Sequence, residues 1–262
     1  MSHVLTETDG PIGIVTLNNP DKHNAFDDKL IVDLTRALGA LDTNQEIRIV
    51  VLSAAGKSFS AGADLNWMKR MSAYSEEENF RDATALGELM RTLHGLSKPS
   101  IARVQGAAYG GGVGLVACCD IAVGTQNAAF SLSEVKLGLI PAVISPYVIA
   151  AIGERAAHRY FLTAERFDAA EGFRLGLLHE LAAADDEMDE KINDICVALM
   201  QGGPGAHLET KALIHAVANR PIDDAVITDT AKRIARVRAG DEGKEGVSAF
   251  LEKRKAHWIA EA

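Results

Sequence analysis

The glycine-rich segment GAAYGGGVGLVACCDIAVG, residues 106–124, most constrains how this chain can fold. It follows an apolar strand predicted over Ser100–Val104, and it has the pattern of strand, glycine loop, helix and strand within 19 residues. Three consecutive glycines, Gly110–Gly112, permit a tight turn and close contact between backbone segments. Such a dense alternation of strands and helices predicts an α/β core.

Other segments extend this pattern along the chain. Strands are predicted at residues 12–17 (IGIVTL) and 47–52 (IRIVVL), and a short extended stretch near 178–181. Helices are predicted over about 27–41 and 76–94, and from about residue 144 the pattern is helical almost to the end. The continuous apolar run at 47–52 is typical of a parallel strand covered on both faces. We expect an α/β core over residues 1–200 and a helical C-terminal region over 201–262.

Composition argues against several classes of protein. The 262 residues include 27 Lys and Arg against 36 Asp and Glu, a net charge of −9, which disfavours nucleic acid or an anionic membrane as partner. Two of the three cysteines are adjacent in an apolar run, and no spacing is typical of a metal site, so we expect buried thiols and no metal. The start of the chain lacks the pattern of a secretory signal, which favours a cytoplasmic protein.

Two loops of small residues precede predicted helices, Ser60–Leu65 (SAGADL) and Gly110–Gly114 (GGGVG). Neither has the spacing of a dinucleotide-binding or triphosphate-binding loop. Unpaired N–H groups at the start of a helix attract negative charge, and two of them would form an oxyanion hole for a carbonyl oxygen. The alternative is that both loops are only tight turns, with Asp64 as the helix N-cap.

Four motifs occur in order along the chain: Asn24-Ala25-Phe26, Phe59–Leu65, Gly106–Asp120 and Ser133–Pro141. Together they resemble the enoyl-CoA hydratase/isomerase, or crotonase, superfamily. The resemblance implies a crotonase (ClpP/crotonase-like) fold of repeated ββα units with a helical C-terminal trimerisation region. It also implies a homotrimer or dimer of trimers, and an acyl-CoA thioester as substrate with no further cofactor.

The resemblance assigns roles to three positions. The backbone N–H groups of Ala63 and Gly111 would bind the thioester oxygen, and Glu134 would be the catalytic carboxylate. From residue type alone, Glu134 is an ordinary surface glutamate. In an apolar acyl pocket its pKa is expected to rise, which suits proton exchange near neutral pH.

Gly114 departs from the pattern of the family's typical hydratases, which carry a second glutamate at this position. The departure argues against simple hydration of straight-chain enoyl-CoA and favours an isomerase, or a hydratase that replaces the missing group. Finer similarity, in DLNWMKRM and LSEVKLGLIPAVISPYV, is to bacterial methylglutaconyl-CoA and carboxygeranoyl-CoA hydratases. Their substrates carry a second carboxylate, which we hypothesise helps to order the water that Glu134 activates.

Further residues are candidates for a wider binding site, with core packing or surface exposure as the alternative for each side chain. The acyl pocket would include Tyr109 and the side chains beyond the first loop, Trp67, Met68 and Met71. Candidates for binding a distal substrate carboxylate are Lys69, Arg70 and Arg81. By the pattern of the family, coenzyme A would lie along Ala25, Ala61, Asp64 and Leu65, with His23 near the entrance and Pro141 at the thioester. Phe250 and Lys253, from their own or a neighbouring subunit, would reach its phosphates.

The main prediction is therefore a hydro-lyase acting on a 2-enoyl-CoA thioester, with a branched glutaconyl-type acyl group such as 3-methylglutaconyl-CoA. An enoyl-CoA Δ-isomerase that uses Glu134 as a single base is the alternative. An RNA-binding protein and an inactive family member are further alternatives, because relatives of this branch have been associated with RNA and Gly114 lacks a carboxylate. The net charge and the low aromatic content of 5% argue against RNA binding.

Overall fold

A computed structural model describes residues 3–259 of the chain. The described part forms two compact units. One comprises the residues up to Leu96 together with Ser100–Asn193, and the other comprises Ser97–Pro99 together with the residues from Asp194 onward. The predicted boundary between residues 200 and 201 stays a prediction.

A six-stranded sheet lies in the first unit. Its strands, in spatial order, are β1 (Val4–Asp9), β2 (Ile12–Leu17), β3 (Ile49–Ala54), β5 (Ser100–Val104), β7 (Ile121–Thr125) and β10 (Glu180–Ala182). β1 and β2 are antiparallel, and all later neighbours are parallel. Every residue of β3 is buried, which confirms the predicted parallel strand covered on both faces.

A second sheet has four strands, in the order β4 (Ser58–Ser60), β6 (Ala107–Tyr109), β8 (Ala129–Ser131) and β9 (Phe167–Asp168). The first three are parallel, and β9 runs antiparallel to β8. Successive strand pairs contribute one strand to each sheet: β3 with β4, β5 with β6, and β7 with β8. Since a helix follows each pair, the chain repeats a ββα unit three times.

Within residues 3–259, ten α-helices connect or follow these strands. They are α1 (Asp28–Thr43), α2 (Leu65–Met71), α3 (Glu76–His94), α4 (Gly111–Cys118), α5 (Ser145–Thr163), α6 (Ala169–Leu175), α7 (Asp185–Met200), α8 (Pro204–Val217), α9 (Asp224–Ala239) and α10 (Asp241–Glu252). Short 3₁₀ turns occur at Pro20–Lys22 and Glu134–Leu137. Among residues 3–259, no helix has both the length and the apolar composition needed to cross a membrane.

α1 buries the apolar face that its sequence predicts, and α3 buries Leu89, Met90 and Leu93 near its C-terminal end. α1 begins after Asp27, whose carboxylate accepts a hydrogen bond from the Leu30 N–H at 2.7 Å. Its buried face consists of Leu30, Ile31, Leu34, Leu38 and Leu41. α3 occupies Glu76–His94 as predicted and begins with a capping box between Ser75 and Glu78.

β1 is an element that the sequence patterning did not predict. Only Val4 of this strand is buried, and the other five residues face solvent. An exposed edge strand of this kind has no period-two apolar pattern, because pairing with β2 and the burial of Val4 alone hold it in place.

Candidate functional site

Backbone pairing with an earlier segment fixes the loop between β4 and α2. The Phe26 N–H donates to the Gly62 carbonyl at 2.7 Å, and the Asp64 N–H donates to the Phe26 carbonyl at 2.8 Å. These two bonds form an isolated parallel bridge between Phe26 and Ala63. In such a bridge the N–H of Ala63 itself points away from Phe26. It has no hydrogen-bond acceptor within residues 3–259, and Ala63 is exposed.

The triple glycine forms the turn from β6 into α4. Gly110 has φ +50° and ψ −119°, a conformation that is essentially restricted to glycine, and its N–H donates to the Ser131 carbonyl at 2.9 Å. Gly111 is the first residue of α4, so its N–H lacks a partner within the helix. Across the described residues this N–H donates to no other group. The second loop therefore also presents an unpaired backbone donor.

The two loops are in direct contact. A β-carbon added to Gly62, which has φ +86°, would lie 3.2 Å from the Tyr109 carbonyl oxygen and 4.0 Å from the Gly110 nitrogen. A residue with a side chain would therefore be strained there and would press on the triple-glycine turn. This close approach explains the glycine at position 62, and it brings the segments with the two unpaired donors together.

Glu134 reaches the same place through the pairing of β8 with β6. Ser131 is in register with Tyr109, and the 3₁₀ turn that follows begins at Glu134. A β-carbon at Gly110 would lie 3.1 Å from Glu134 Oε1, so the carboxylate packs against the triple-glycine backbone. Its Oε2 is buried and has no hydrogen-bond partner among the described residues.

Burial raises the pKa of Glu134 above its ordinary value of 4.5, and a hydrogen bond from its own backbone N–H opposes part of that rise. The structure thus brings together the segments of the three residues that the motifs single out. Within the described residues, Ala63 and Gly111 each have an unpaired N–H, and Glu134 has a carboxylate oxygen without a hydrogen-bond partner. N–H donors stabilise negative charge on an oxygen, and a carboxylate with a raised pKa accepts and returns protons.

Comparison with known proteins identifies the family. The sequence profile described as enoyl-CoA hydratase/isomerase matches residues 7–261. The chain belongs to this family. It is 30% identical to the crotonyl-CoA hydratase of Syntrophomonas wolfei, over 98% of both chains. Among solved structures, it is similar to an enoyl-CoA hydratase from Shewanella pealeana, with a TM-score of 0.95 and 44% identity over 98% of this chain and 96% of that one.

An enoyl-CoA hydratase/isomerase from Marinobacter aquaeolei is also similar, with a TM-score of 0.92 and 32% identity over 99% of this chain and 100% of the other. These likenesses over nearly complete chains confirm the predicted family and its fold of repeated ββα units. The roles of individual residues stay predictions that the geometry above makes testable.

Asp64 is the N-cap of α2, as the sequence predicts. Its carboxylate accepts hydrogen bonds from the N–H groups of Asn66 at 2.8 Å and Trp67 at 3.1 Å. Lys22, from the 3₁₀ turn 42 residues earlier, donates to the same carboxylate at 2.8 Å. These bonds, the one from Lys22 above all, hold the pKa of Asp64 below its ordinary value of 3.8. The helix that follows the first loop is therefore anchored at its first turn.

This anchor predicts a pH-dependent stability. Asp64→Ala should lower the free energy of unfolding by about 1 kcal/mol at pH 7, because the cap is lost, whereas Asp64→Asn keeps a capping oxygen but loses the ion pair. Since the folded-state pKa of Asp64 is lowered, the ion-pair contribution is present above pH 3.8 and is lost as the pH falls through that lower pKa. Thermal unfolding should therefore separate wild type from Asp64→Asn at pH 7, and the two should converge as the pH falls further and further below 3.8. A constant difference across that range would contradict the assignment.

Side chains beyond the first loop have mixed surroundings. Trp67 is buried and its indole N–H donates to Asp82 at 3.1 Å, a contact that the sequence patterning did not reveal. Met68 is half-buried, and Met71 packs against the hydrophobic core. Leu65 is 80% exposed. These positions are compatible with a pocket wall at Met68 and with core packing at Met71.

The remaining predicted residues are placed as follows. Ala25 and Pro141 are buried, whereas Ala61, Lys69 and Arg81 are exposed. Arg70 is bound to Asp28 by an ion pair.

Tyr109 is half-buried, and the Arg166 guanidinium lies 5.9 Å from the centre of its ring. His23 adopts a left-handed conformation and its ring Nδ1 lies 3.1 Å from the Ser58 hydroxyl. Phe250, on α10, is 81% exposed and Lys253 follows that helix, both in the second unit.

Gly114, where a second carboxylate is missing, is buried on α4, three residues after Gly111. Its surroundings are apolar, and the nearest atoms on its side-chain side belong to Ile144. Ile144 was not among the residues that the sequence singled out. A contact between positions 30 residues apart leaves no local signal in the sequence.

Proposed function

We propose that this protein is an enoyl-CoA hydratase that adds water to the double bond of a 2-enoyl-CoA thioester, or removes it. One observation carries the proposal: the unpaired N–H groups of Ala63 and Gly111 belong to touching loops, and Glu134 lies against the same backbone with an unused oxygen. Membership of the enoyl-CoA hydratase/isomerase family supports this class of reaction.

The two N–H groups would act as an oxyanion hole. Attack on a conjugated thioester moves electrons onto its carbonyl oxygen, which becomes an enolate oxygen. Donors already held by the loop geometry stabilise this charge without reorganising, and one such donor is worth about 3 kcal/mol in comparable sites. Because both donors are backbone groups, backbone position rather than side-chain chemistry decides their contribution.

Glu134 would exchange the proton. The ionised carboxylate takes a proton from water while the water oxygen bonds to C3 of the substrate, and the electron pair of the double bond moves toward the thioester oxygen. The carboxylic acid then returns the proton to C2 as the carbonyl reforms. The net change is the addition of one water molecule, and Glu134 ends the cycle ionised, as it began.

The proposed substrate is a branched glutaconyl-type thioester such as 3-methylglutaconyl-CoA. Gly114 provides no carboxylate to help order the attacking water. A substrate with its own distal carboxylate would supply that group. Glu134 alone would suffice for a Δ-isomerase, which is why isomerisation remains the alternative reaction.

The rest of the proposal concerns binding and assembly. The acyl group would lie near Trp67, Met68 and Tyr109. Coenzyme A, part of the substrate and the only cofactor proposed, would contact Ala25, Ala61, Asp64, Leu65 and Pro141. Phe250 and Lys253, of the same or a neighbouring subunit, would reach its phosphates. A homotrimer or dimer of trimers would cover exposed apolar side chains of the second unit such as Ile222, Phe250 and Leu251. A cytoplasmic location is proposed with it.

Product mass distinguishes the two reactions. Incubation with a 2-enoyl-CoA should yield a product heavier by one water molecule, because Glu134 and the two N–H donors support addition to C3. A 3-enoyl-CoA should react much more slowly. Conversion of the 3-enoyl-CoA to the 2-enoyl-CoA without a gain in mass, at a higher rate than hydration, would favour the isomerase instead.

Substrate preference is a separate prediction. The kcat/KM for a glutaconyl-type thioester should exceed that for crotonyl-CoA by about tenfold or more. The reason is that the distal carboxylate of the glutaconyl group would help to order the attacking water, whereas crotonyl-CoA has no such group. A side-by-side rate measurement on the two thioesters checks this. A clear preference for crotonyl-CoA would contradict the substrate class while leaving the hydratase reaction intact.

A further inference from the structure

The side-chain position of Gly114 is filled by a neighbouring residue. A β-carbon at Gly114 would lie 2.3 Å from Ile144 Cγ2, 2.9 Å from Ile144 Cβ and 3.3 Å from Met90 Cε. Non-bonded carbon atoms do not approach to 2.3 or 2.9 Å, so any side chain at position 114 would force Ile144 to shift. Glycine at 114 and isoleucine at 144 therefore fit each other.

Ile144 has little freedom to move aside. It is the residue preceding α5, and its carbonyl accepts hydrogen bonds from the N–H groups of Tyr147 at 3.2 Å and Val148 at 3.0 Å. Only 3% of Ile144 is exposed. Met90, the other neighbour, is fully buried and its sulfur lies 3.7 Å from Cys118 Sγ. Both residues belong to the main hydrophobic cluster, so a new side chain at 114 would have to displace packed atoms.

The segment that supplies Glu134 also supplies Ile144. Both residues lie on the connection between β8 and α5, which begins after Ser131 and ends at Ile144. Gly114 lies on α4, the helix whose first residue is Gly111. One connection thus provides a carboxylate beside the triple-glycine turn and an apolar side chain that fills the space beside the first turn of the helix.

We propose that Ile144 is a specificity-determining residue: it keeps position 114 free of any side chain and leaves Glu134 to act without a second carboxylate from α4. A substrate that carries a carboxylate of its own is then hydrated in preference to one that does not. This inference rests on the proposed hydratase function and deepens it. It also makes the identities of residues 114 and 144 interdependent.

A set of thermal unfolding measurements tests the interdependence without using activity. Gly114→Ala alone should lower Tm by about 5 °C or more, because of overpacking against Ile144. In an Ile144→Gly background the same change should no longer lower Tm, since the clash is gone and alanine is favoured over glycine inside a helix. Ile144→Val is the matched control: valine retains both γ-carbons, so Gly114→Ala should remain destabilising there.

Substrate selectivity tests the functional part. Gly114→Glu combined with Ile144→Gly should lower the ratio of kcat/KM for a glutaconyl-type thioester to that for crotonyl-CoA by at least about tenfold relative to Ile144→Gly alone. Gly114→Gln in the same background controls for size without charge and should not produce this change. Gly114→Glu alone, which keeps Ile144, should be destabilised, and the measurement is a lowered Tm.

Two results would overturn the inference. One is an equal effect of Gly114→Ala on Tm in the wild-type, Ile144→Val and Ile144→Gly backgrounds, which would mean that Ile144 does not exclude a side chain. The other is an unchanged selectivity ratio in a folded Gly114→Glu/Ile144→Gly protein. Failure of the proposed hydratase function is recognised separately, as absence of water addition by wild type to either thioester.

Discussion

Replacing Glu134 by glutamine should lower kcat for hydration of a 2-enoyl-CoA by about 10²- to 10⁴-fold, the usual contribution of a positioned general base. Glutamine keeps the size of the side chain but cannot take a proton from water. The loops that carry Ala63 and Gly111 should be unaffected, because Glu134 has no hydrogen bond to either of them. The KM for the thioester should therefore change much less than kcat. Initial rates over a range of substrate concentrations give both values.

Glu154→Gln is the matched control for this substitution. Glu154 lies on α5 with a side chain that is 85% exposed, and it should tolerate the same change without loss of kcat. Thermal unfolding of Glu134→Gln should remain cooperative, which separates loss of the base from loss of the fold. Wild-type kcat in a folded Glu134→Gln variant would mean that another group moves the proton.

The second large effect is expected at Gly110. Gly110→Ala should lower kcat/KM by about 100-fold or more, because two consequences act together. The backbone conformation at φ +50° and ψ −119° is strained by about 1–3 kcal/mol for any L-residue, and the added β-carbon would lie 3.1 Å from Glu134 Oε1. Relief of either strain moves the carboxylate or the N–H of the next residue, Gly111. Steady-state kinetics with a 2-enoyl-CoA measures the loss.

Gly10→Ala is the control variant for Gly110→Ala. It introduces backbone strain at a position away from the candidate site. Gly10 has φ +52°, close to that of Gly110, but a β-carbon there would meet nothing within 4 Å. It should lower Tm with little effect on kcat/KM. If the two glycine variants lost activity equally, the contact between Gly110 and Glu134 would not explain the loss.

The amino-acid pattern was sufficient for elements whose burial is periodic or complete. The strand at Ile12–Leu17, which buries alternate residues, and the helix at Glu76–His94, which buries Leu89, Met90 and Leu93 near its end, have the bounds predicted for them. The strand predicted at 47–52 lies at Ile49–Ala54, since pairing with its neighbours rather than hydrophobicity sets the bounds. β1, with one buried residue, could not be recognised from its pattern.

The part of the candidate site that consists of short local motifs was predictable from the sequence. The small residues of both loops point to backbone donors, but only the pairing of Phe26 with Ala63 and the contact of Gly62 with Tyr109 bring the loops together. Glu134 is an ordinary glutamate by residue type. Its raised pKa arises from burial, which depends on the register of β6 and β8.

Contacts between segments that are distant in sequence could not be predicted from the sequence. Lys22 and Asp64 are 42 residues apart, and their ion pair requires the 3₁₀ turn and the first loop to be adjacent. The same holds for Gly114 and Ile144. The glycine has no side chain, and the Ile144 side chain, from another segment, fills the space beside it. Such complementarity is a property of packing, and no single position reveals it.

The dependence of kcat/KM on pH tests the central claim, that one ionised carboxylate at Glu134 carries the proton transfer. Only the ionised form accepts a proton from water, and burial raises the pKa of Glu134, so activity should fall as the pH drops through a midpoint above 4.5. On this acid limb log kcat/KM should rise with pH with a slope of one, and the limb should be absent in Glu134→Gln. An acid limb that persists in Glu134→Gln, or one with a slope of two in wild type, would contradict the account.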